Sequence, residues 1–128
     1  MINPIIAKIT SKFGEISSIR GGVPHNGVDL AVKVGSEVIS PYSGTIKSVY
    51  ENARGGKQLL LKLDNGFTLG LAHLSKNNLK NAGDKVKQGD IIALSGNSGV
   101  GTGAHLHLTL RNQANLLVNP QDYFTFAV

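Results

Sequence analysis

The chain has no cysteine, no tryptophan and a single methionine in 128 residues. Without thiols there can be no disulfide, no thiolate zinc site and no cysteine nucleophile. The absence is silent about compartment, because a cysteine-free chain works in either redox environment. Long apolar runs are also missing, and no stretch approaches the length of a membrane span. The opening Met1-Ile2-Asn3-Pro4-Ile5-Ile6-Ala7-Lys8 lacks the basic start and unbroken apolar core of a secretion signal. A protein of this sequence acting outside a cell is expected to be carried there by other means, or to be part of a longer chain. Acidic residues are few, 8 against 13 Lys and Arg, for a net charge of +5. Such a surface favours polyanions. The lysines are nevertheless scattered, with one loose cluster at Lys76, Lys80, Lys85 and Lys87, and no aromatics interleave with them. A nucleic-acid partner is not expected, and the cluster reads as solvated surface.

Glycine, by contrast, is abundant at 16 residues, which suits a β-rich chain with many tight turns. The length fits one domain over 1–128, able to bury roughly two-thirds of its unfolded surface. The expected fold is all-β, mainly antiparallel sheet, with little helix. Alternating or apolar runs predict strands at Glu37–Ser40, Gly44–Tyr50, Gln58–Leu63, Phe67–His73, Ile91–Ser95 and His105–Leu110. Asp64-Asn65-Gly66 between two of these runs is a strong hairpin signal, on the expectation that the turn positions take positive φ. Leu74–Ala82 is the one stretch expected to form a short helical turn. The tail from Leu116 to Phe126 is apolar enough to cover a sheet edge.

The four histidines carry the chemical signal. His105 and His107 are two apart on a strand, so they project to one face while Leu106 and Leu108 project to the other. They follow the glycine-rich loop Ser95–Gly103, which reads as too flexible to be core. His25 and Asp29 lie about 13 Å apart in a straight strand, so they meet only if the chain bends, and Asn26-Gly27 supplies the bend. His25 would then come from a loop and Asp29 from the start of a strand. His73 closes the second arm of the hairpin. A catalytic zinc takes three protein ligands and one open position, and two histidines with one carboxylate form a usual set. Five candidates for three places leave two histidines to handle protons, as a side chain titrating near neutrality can. No HExxH motif is present to supply a glutamate base.

His25-x-x-x-Asp29, His73 within Ala72-His73-Leu74-Ser75, and His105-x-His107 resemble the lysostaphin-type, or LytM-type, zinc endopeptidases that cut peptidoglycan peptides. The likeness extends to Ser11-Lys12-Phe13-Gly14, Gly35-Ser36-Glu37-Val38, Ser43-Gly44-Thr45-Ile46, Val86-Lys87-Gln88-Gly89-Asp90 and Gly96-Asn97-Ser98-Gly99. It implies that His25, Asp29 and His107 bind one Zn2+, that His73 and His105 are the catalytic pair, and that the site lies in a groove between loops. It further implies a peptidoglycan peptide as substrate, with action at the cell wall, either extracellular or periplasmic. A phage wall-opening protein, a virion component or a piece of a secreted assembly would each suit such a chain. Some family members carry an oxyanion-assisting tyrosine just before the first zinc histidine. Here that region is Ile19-Arg20-Gly21-Gly22; Tyr42 and Tyr50 lie beyond Asp29, and Arg20 is a candidate electrostatic substitute. The loop before His25 is also short, which would leave the cleft open on that side. Two other readings compete. A lipoyl- or biotinyl-like carrier barrel shares the Gly83–Ile91 pattern, but it needs a modifiable lysine at a hairpin tip and leaves the histidines unexplained. An inactive relative that binds wall peptide or activates another hydrolase would be expected to lack some metal ligands.

Overall fold

The computed structural model describes residues 1–17, 20–100 and 103–127. Among them the only regular elements besides strands are short 3-10 turns, one of them at Pro120–Asp122. The strands are β1 (Lys8–Ser11), β2 (Val28–Ala31), β3 (Glu37–Ile39), β4 (Gly44–Asn52), β5 (Gly56–Leu63), β6 (Thr68–Lys76), β7 (Lys85–Val86), β8 (Ile91–Ser95), β9 (His105–Arg111) and β10 (Leu117–Val118). All pairings are antiparallel, along the path β1-β2-β9-β6-β5-β4-β7. β8 bridges from β6 to β3, and β10 extends the end of β9. The all-β expectation therefore holds.

The period-two pattern decides which face is dry. On β9, Leu106, Leu108 and Leu110 are fully buried while His105, His107, Thr109 and Arg111 stay half-buried on the opposite side. Leu59, Leu61 and Leu63 of β5 and Leu69 and Leu71 of β6 join the same core. Val38 and Ile92 of the β3–β8 arm belong to it too, with Ile5, Phe124 and Phe126 from the chain ends. The tail, expected to cover a sheet edge, instead sends Phe124 and Phe126 into the core. Phe126, with no exposed surface and φ of 59°, accepts a backbone hydrogen bond from Ala7 at 2.8 Å. The half-buried face is left open, and it is the face that carries the histidines.

Three local expectations are corrected. Leu74–Ala82 forms no helical turn: Leu74–Lys76 continues β6, and Asn77 is buried with its amide donating to the carbonyls of Tyr50 and Gln58 at 2.9 and 2.8 Å. Those bonds satisfy the segment locally, where helix propensity alone was weak. In the Asp64-Asn65-Gly66 turn between β5 and β6 only Gly66 has positive φ, at 93°, and its N–H bonds the Leu63 carbonyl at 2.9 Å. The loop is thus three residues with glycine in the left-handed position, a pattern that needs one positive φ rather than two. Finally, the described part of the glycine-rich loop is pinned. Ser98 Oγ accepts from the Lys57 amide at 3.0 Å and donates to the Leu74 carbonyl, and Val100 N–H bonds the Arg54 carbonyl at 2.9 Å. Gly99 passes so close to Gly56 that a Cβ on either would strike the other's backbone.

Removing the Phe126 ring should leave a cavity where the two chain ends meet. Phe126→Ala is expected to cost about 3–5 kcal/mol, read as a lower urea midpoint with unchanged slope.

Candidate metal and catalytic site

Three strands place the site. Asp29 of β2 stands opposite His107 of β9, which in turn stands opposite Ala72 of β6. Directly paired residues share a face, so the Asp29 carboxylate and the His107 ring meet on the open side of the sheet. His107 Nδ1 lies 2.8 Å from Asp29 Oδ1. His25 arrives from the loop before β2, as expected, and its Nε2 lies 3.4 Å from Asp29 Oδ1 and 3.2 Å from His107 Nδ1. Gly27 lets it do so. The chain there runs against the β9 backbone, and a Cβ would collide with the Leu108 carbonyl. Closeness of approach, rather than a left-handed φ, demands glycine at this bend.

Tetrahedral zinc with bonds of about 2.0–2.1 Å sets its ligand atoms about 3.3 Å apart. The three separations of 2.8, 3.2 and 3.4 Å match that spacing, and the three side chains form a group able to hold a metal ion. The His25 tautomer agrees. His25 is 4 % exposed, and its Nδ1 faces the Lys12 carbonyl at 3.2 Å, which only accepts. Nδ1 therefore carries the proton and Nε2 turns a lone pair toward Asp29 and His107.

His73 sits inside β6 rather than at its end. Between the pairs Leu59↔Leu71 and Lys57↔Leu74 the register shifts by one, so Ala72 and His73 together oppose Gln58. His73 takes the extra place with φ of 62°, a left-handed conformation uncommon outside glycine. This bulge turns the ring onto the face of His105 and His107, with centroids 4.4 and 6.3 Å away. His73 Nδ1–H donates to the Ser98 carbonyl at 2.7 Å, and His105 Nδ1–H donates to the Gly103 carbonyl at 2.7 Å. Both rings thus leave Nε2 free. All five residues singled out from the sequence are brought together.

Burial disfavours the charged imidazolium at His25, an effect only partly offset by Asp29, and its pKa falls below the usual 6.5. His73 is lowered too, first by burial and then by the neighbouring His105 and His107, against the pull of the Ser98 carbonyl. Burial opposes ionisation of Asp29, but the hydrogen bond from His107 and the surrounding imidazoles outweigh it and hold the carboxyl below its usual 3.8. The lowered values keep Asp29 ionised and favour the neutral rings of His25 and His73 at neutral pH, and a cation needs deprotonated ligands.

Sequence reasoning missed what stands behind His25. Ser11, at the bulged end of β1, is buried and donates to Glu15 Oε2 at 2.7 Å, while its Oγ lies 3.1 Å from His25 Nδ1. Arg20, expected as an oxyanion substitute, is occupied here. Its Nη2 donates to the Glu15 carbonyl at 3.1 Å, reaches Ser11 Oγ at 3.5 Å and lies 3.6 Å from Glu15 Oε2. Tyr50 donates to Gln58 at 3.2 Å, and Tyr42 packs on the core. The only sequence trace of this support was Ser11-Lys12-Phe13-Gly14, and Glu15 carried no signal of its own. The short loop before His25, expected to leave the cleft open, and the glycine-rich loop before β9 fall partly on residues 18–19 and 101–102, outside the described residues.

Residues 23–120 match the model of peptidase family M23, and the chain belongs to that family. It is 37% identical over 87 residues to the peptidoglycan DD-endopeptidase ShyA of Vibrio cholerae, a match covering 68% of this chain and 20% of that protein. Among solved structures, a zinc-containing peptidase from Vibrio cholerae superposes with a TM-score of 0.82 and 32% identity, over 92% of this chain and 38% of the other. The catalytic domain of the antimicrobial peptidase lysostaphin from Staphylococcus simulans gives 0.80 and 32%, over 91% of each chain. The chain spans between 18% and 27% of the length of three curated relatives it matches.

Two outcomes follow from the site's surroundings. Ser11→Ala, which removes a partner of His25 Nδ1, is expected to weaken zinc binding about 10- to 100-fold, measured by competition with a chromogenic chelator. The pH dependence has a defined sign. Because His25 and His73 bind protons more weakly folded than unfolded, the metal-free domain should lose stability as pH falls through 6.5. Urea midpoints at pH 7.5 and pH 5.5 test this, and a higher midpoint at pH 5.5 would contradict it.

Proposed function

We propose that the protein is a zinc-dependent endopeptidase hydrolysing peptide bonds in bacterial peptidoglycan. The single observation that carries this reading is the convergence of His25 Nε2, Asp29 Oδ1 and His107 Nδ1 at tetrahedral spacing, beside two further imidazoles with free Nε2 atoms. His25, Asp29 and His107 would hold the ion. Zinc bound there supplies a Lewis acid that polarises a water and the scissile carbonyl. The chain's own residues do the rest. His73, kept neutral by burial, takes a proton from the attacking water at Nε2 and returns it to the leaving amine. The Ser98 carbonyl holds its tautomer throughout and favours the transient imidazolium. His105, fixed on the Gly103 carbonyl, turns its Nε2 to the same space, where it accepts a hydrogen bond from the attacking water and orients it.

The substrate reading draws support from the relative named a peptidoglycan DD-endopeptidase, and zinc from the donor set and the zinc-containing neighbour. Action at the cell wall, extracellular or periplasmic, follows from that substrate. An inactive wall-binding relative is the weaker reading, since binding alone does not require His25, Asp29, His73, His105 and His107 to converge.

Metal analysis combined with digestion of purified peptidoglycan tests the proposal. One zinc per chain is expected, with wall peptide released and both lost in His107→Ala. Release that survives chelation and this substitution would sink it. His105→Ala should keep its zinc while losing about 10²- to 10⁴-fold in rate; loss of the metal would show that His105 is a ligand instead.

A further inference from the structure

The open face of the sheet does not stop at the histidines. Along β9 it continues from His107 to Thr109 and Arg111, and across the pairing to Gly70 and Thr68 on β6 and Leu60 on β5. A cavity of about 310 Å³ lies here, lined by Lys47, Leu60, Thr68, Gly70, Thr109, Arg111 and Asn115. Its floor is low because Gly70 has no side chain; a Cβ there would run into Thr109 Oγ1. Two of the lining residues are cations and none is an acid. At Ile46–Ser48 the β4 register shifts, and Lys47 sits in that irregularity. Arg111 is held in place by a bond from Nη1 to the Asn115 carbonyl at 3.0 Å, which leaves its other N–H groups unassigned to any partner in the cavity. Asn115 itself has φ of 62°.

We propose that this cavity is a substrate subsite that binds a free carboxylate of the wall peptide, with Arg111 and Lys47 as the recognising cations and the Thr68 and Thr109 hydroxyls beside them. The proposal rests on the endopeptidase reading above and names a feature of its substrate. Arg111 is four residues from His107, or about 13 Å along the strand at about 3.3 Å per residue. An extended peptide lying over β9 with its scissile carbonyl near His107 therefore carries the recognised carboxylate three to four residues away. A planar guanidinium with one edge already held meets a carboxylate with little further ordering. Wall stem peptides carry free carboxylates, whereas the interior of a glycine bridge carries none, so the subsite favours cleavage within or next to a stem peptide. The cavity's size and its position in line with the histidines favour a peptide carboxylate over an anionic wall polymer.

The test uses the zinc-loaded protein and a pair of synthetic stem peptides that differ only in a carboxylate or carboxamide three to four residues from the cleaved bond. The carboxylate peptide should have the higher kcat/KM, by about five- to tenfold, with the gap narrowing in high salt. In the R111Q/K47Q double variant the two peptides should be cut equally, at the rate the parent protein shows for the carboxamide. Equal turnover by the parent protein, or a preference that survives in the double variant, would overturn the subsite and leave the hydrolase reading standing. If neither peptide is cut, that reading fails, and binding of the same two peptides, followed by amide chemical shifts at Thr109 and Gly70, decides the subsite alone. Inhibition by polyglycerol phosphate that vanishes in the double variant, with no acid-over-amide preference, assigns the cations to a polymer and overturns the proposal.

Discussion

The pairing of β2 with β9 is the constraint on which the site depends. Asp29 and His107 meet because they are register partners, and His25 meets both because Gly27 lets the preceding loop run against β9. A slip of one residue would turn His107 into the core and Leu106 or Leu108 out of it. The leucines that make such a slip costly are the same ones that close the hydrophobic core. The Asp29–His107 geometry and fold stability are thus set by one alternation of side chains, and neither can drift without the other.

A second regularity lies in the imidazoles. Three of the four turn Nδ1–H to a backbone carbonyl: His25 to Lys12, His73 to Ser98 and His105 to Gly103. A carbonyl accepts only, so each bond fixes a tautomer without adding charge. His107 alone turns Nδ1 inward, toward the Asp29 carboxylate. The backbone therefore does much of the work of deciding which nitrogen is free, a task for which no side-chain partner has to be specified.

Much of this was legible in the sequence. Alternating or apolar runs placed strands at 37–40, 91–95 and 105–110, within one residue of those observed at 37–39, 91–95 and 105–111, and the i, i+2 spacing placed His105 and His107 on one face. The need for a bend between His25 and Asp29 followed from strand rise alone. What could not be read was register. The bulge that turns His73 inward depends on β5 opposing two residues with one, and the weak helical pattern of Leu74–Ala82 gave way to hydrogen bonds made by Asn77 to strands β4 and β5. The support behind His25 was hidden for a related reason. Ser11, Glu15 and Arg20 are scattered polar residues until β1 and its following loop fold beside β2.

The contact between Gly56 and Gly99 has an evolutionary side. The turn between β4 and β5 and the loop after β8 touch with no room for a side chain, and Ser98, next to that contact, supplies the carbonyl that fixes His73. A lineage that lengthened either loop to reshape its groove would push Ser98 away and release the His73 ring. Variation in the groove is therefore channelled to surfaces free of that contact, while these two loops change only as a matched pair.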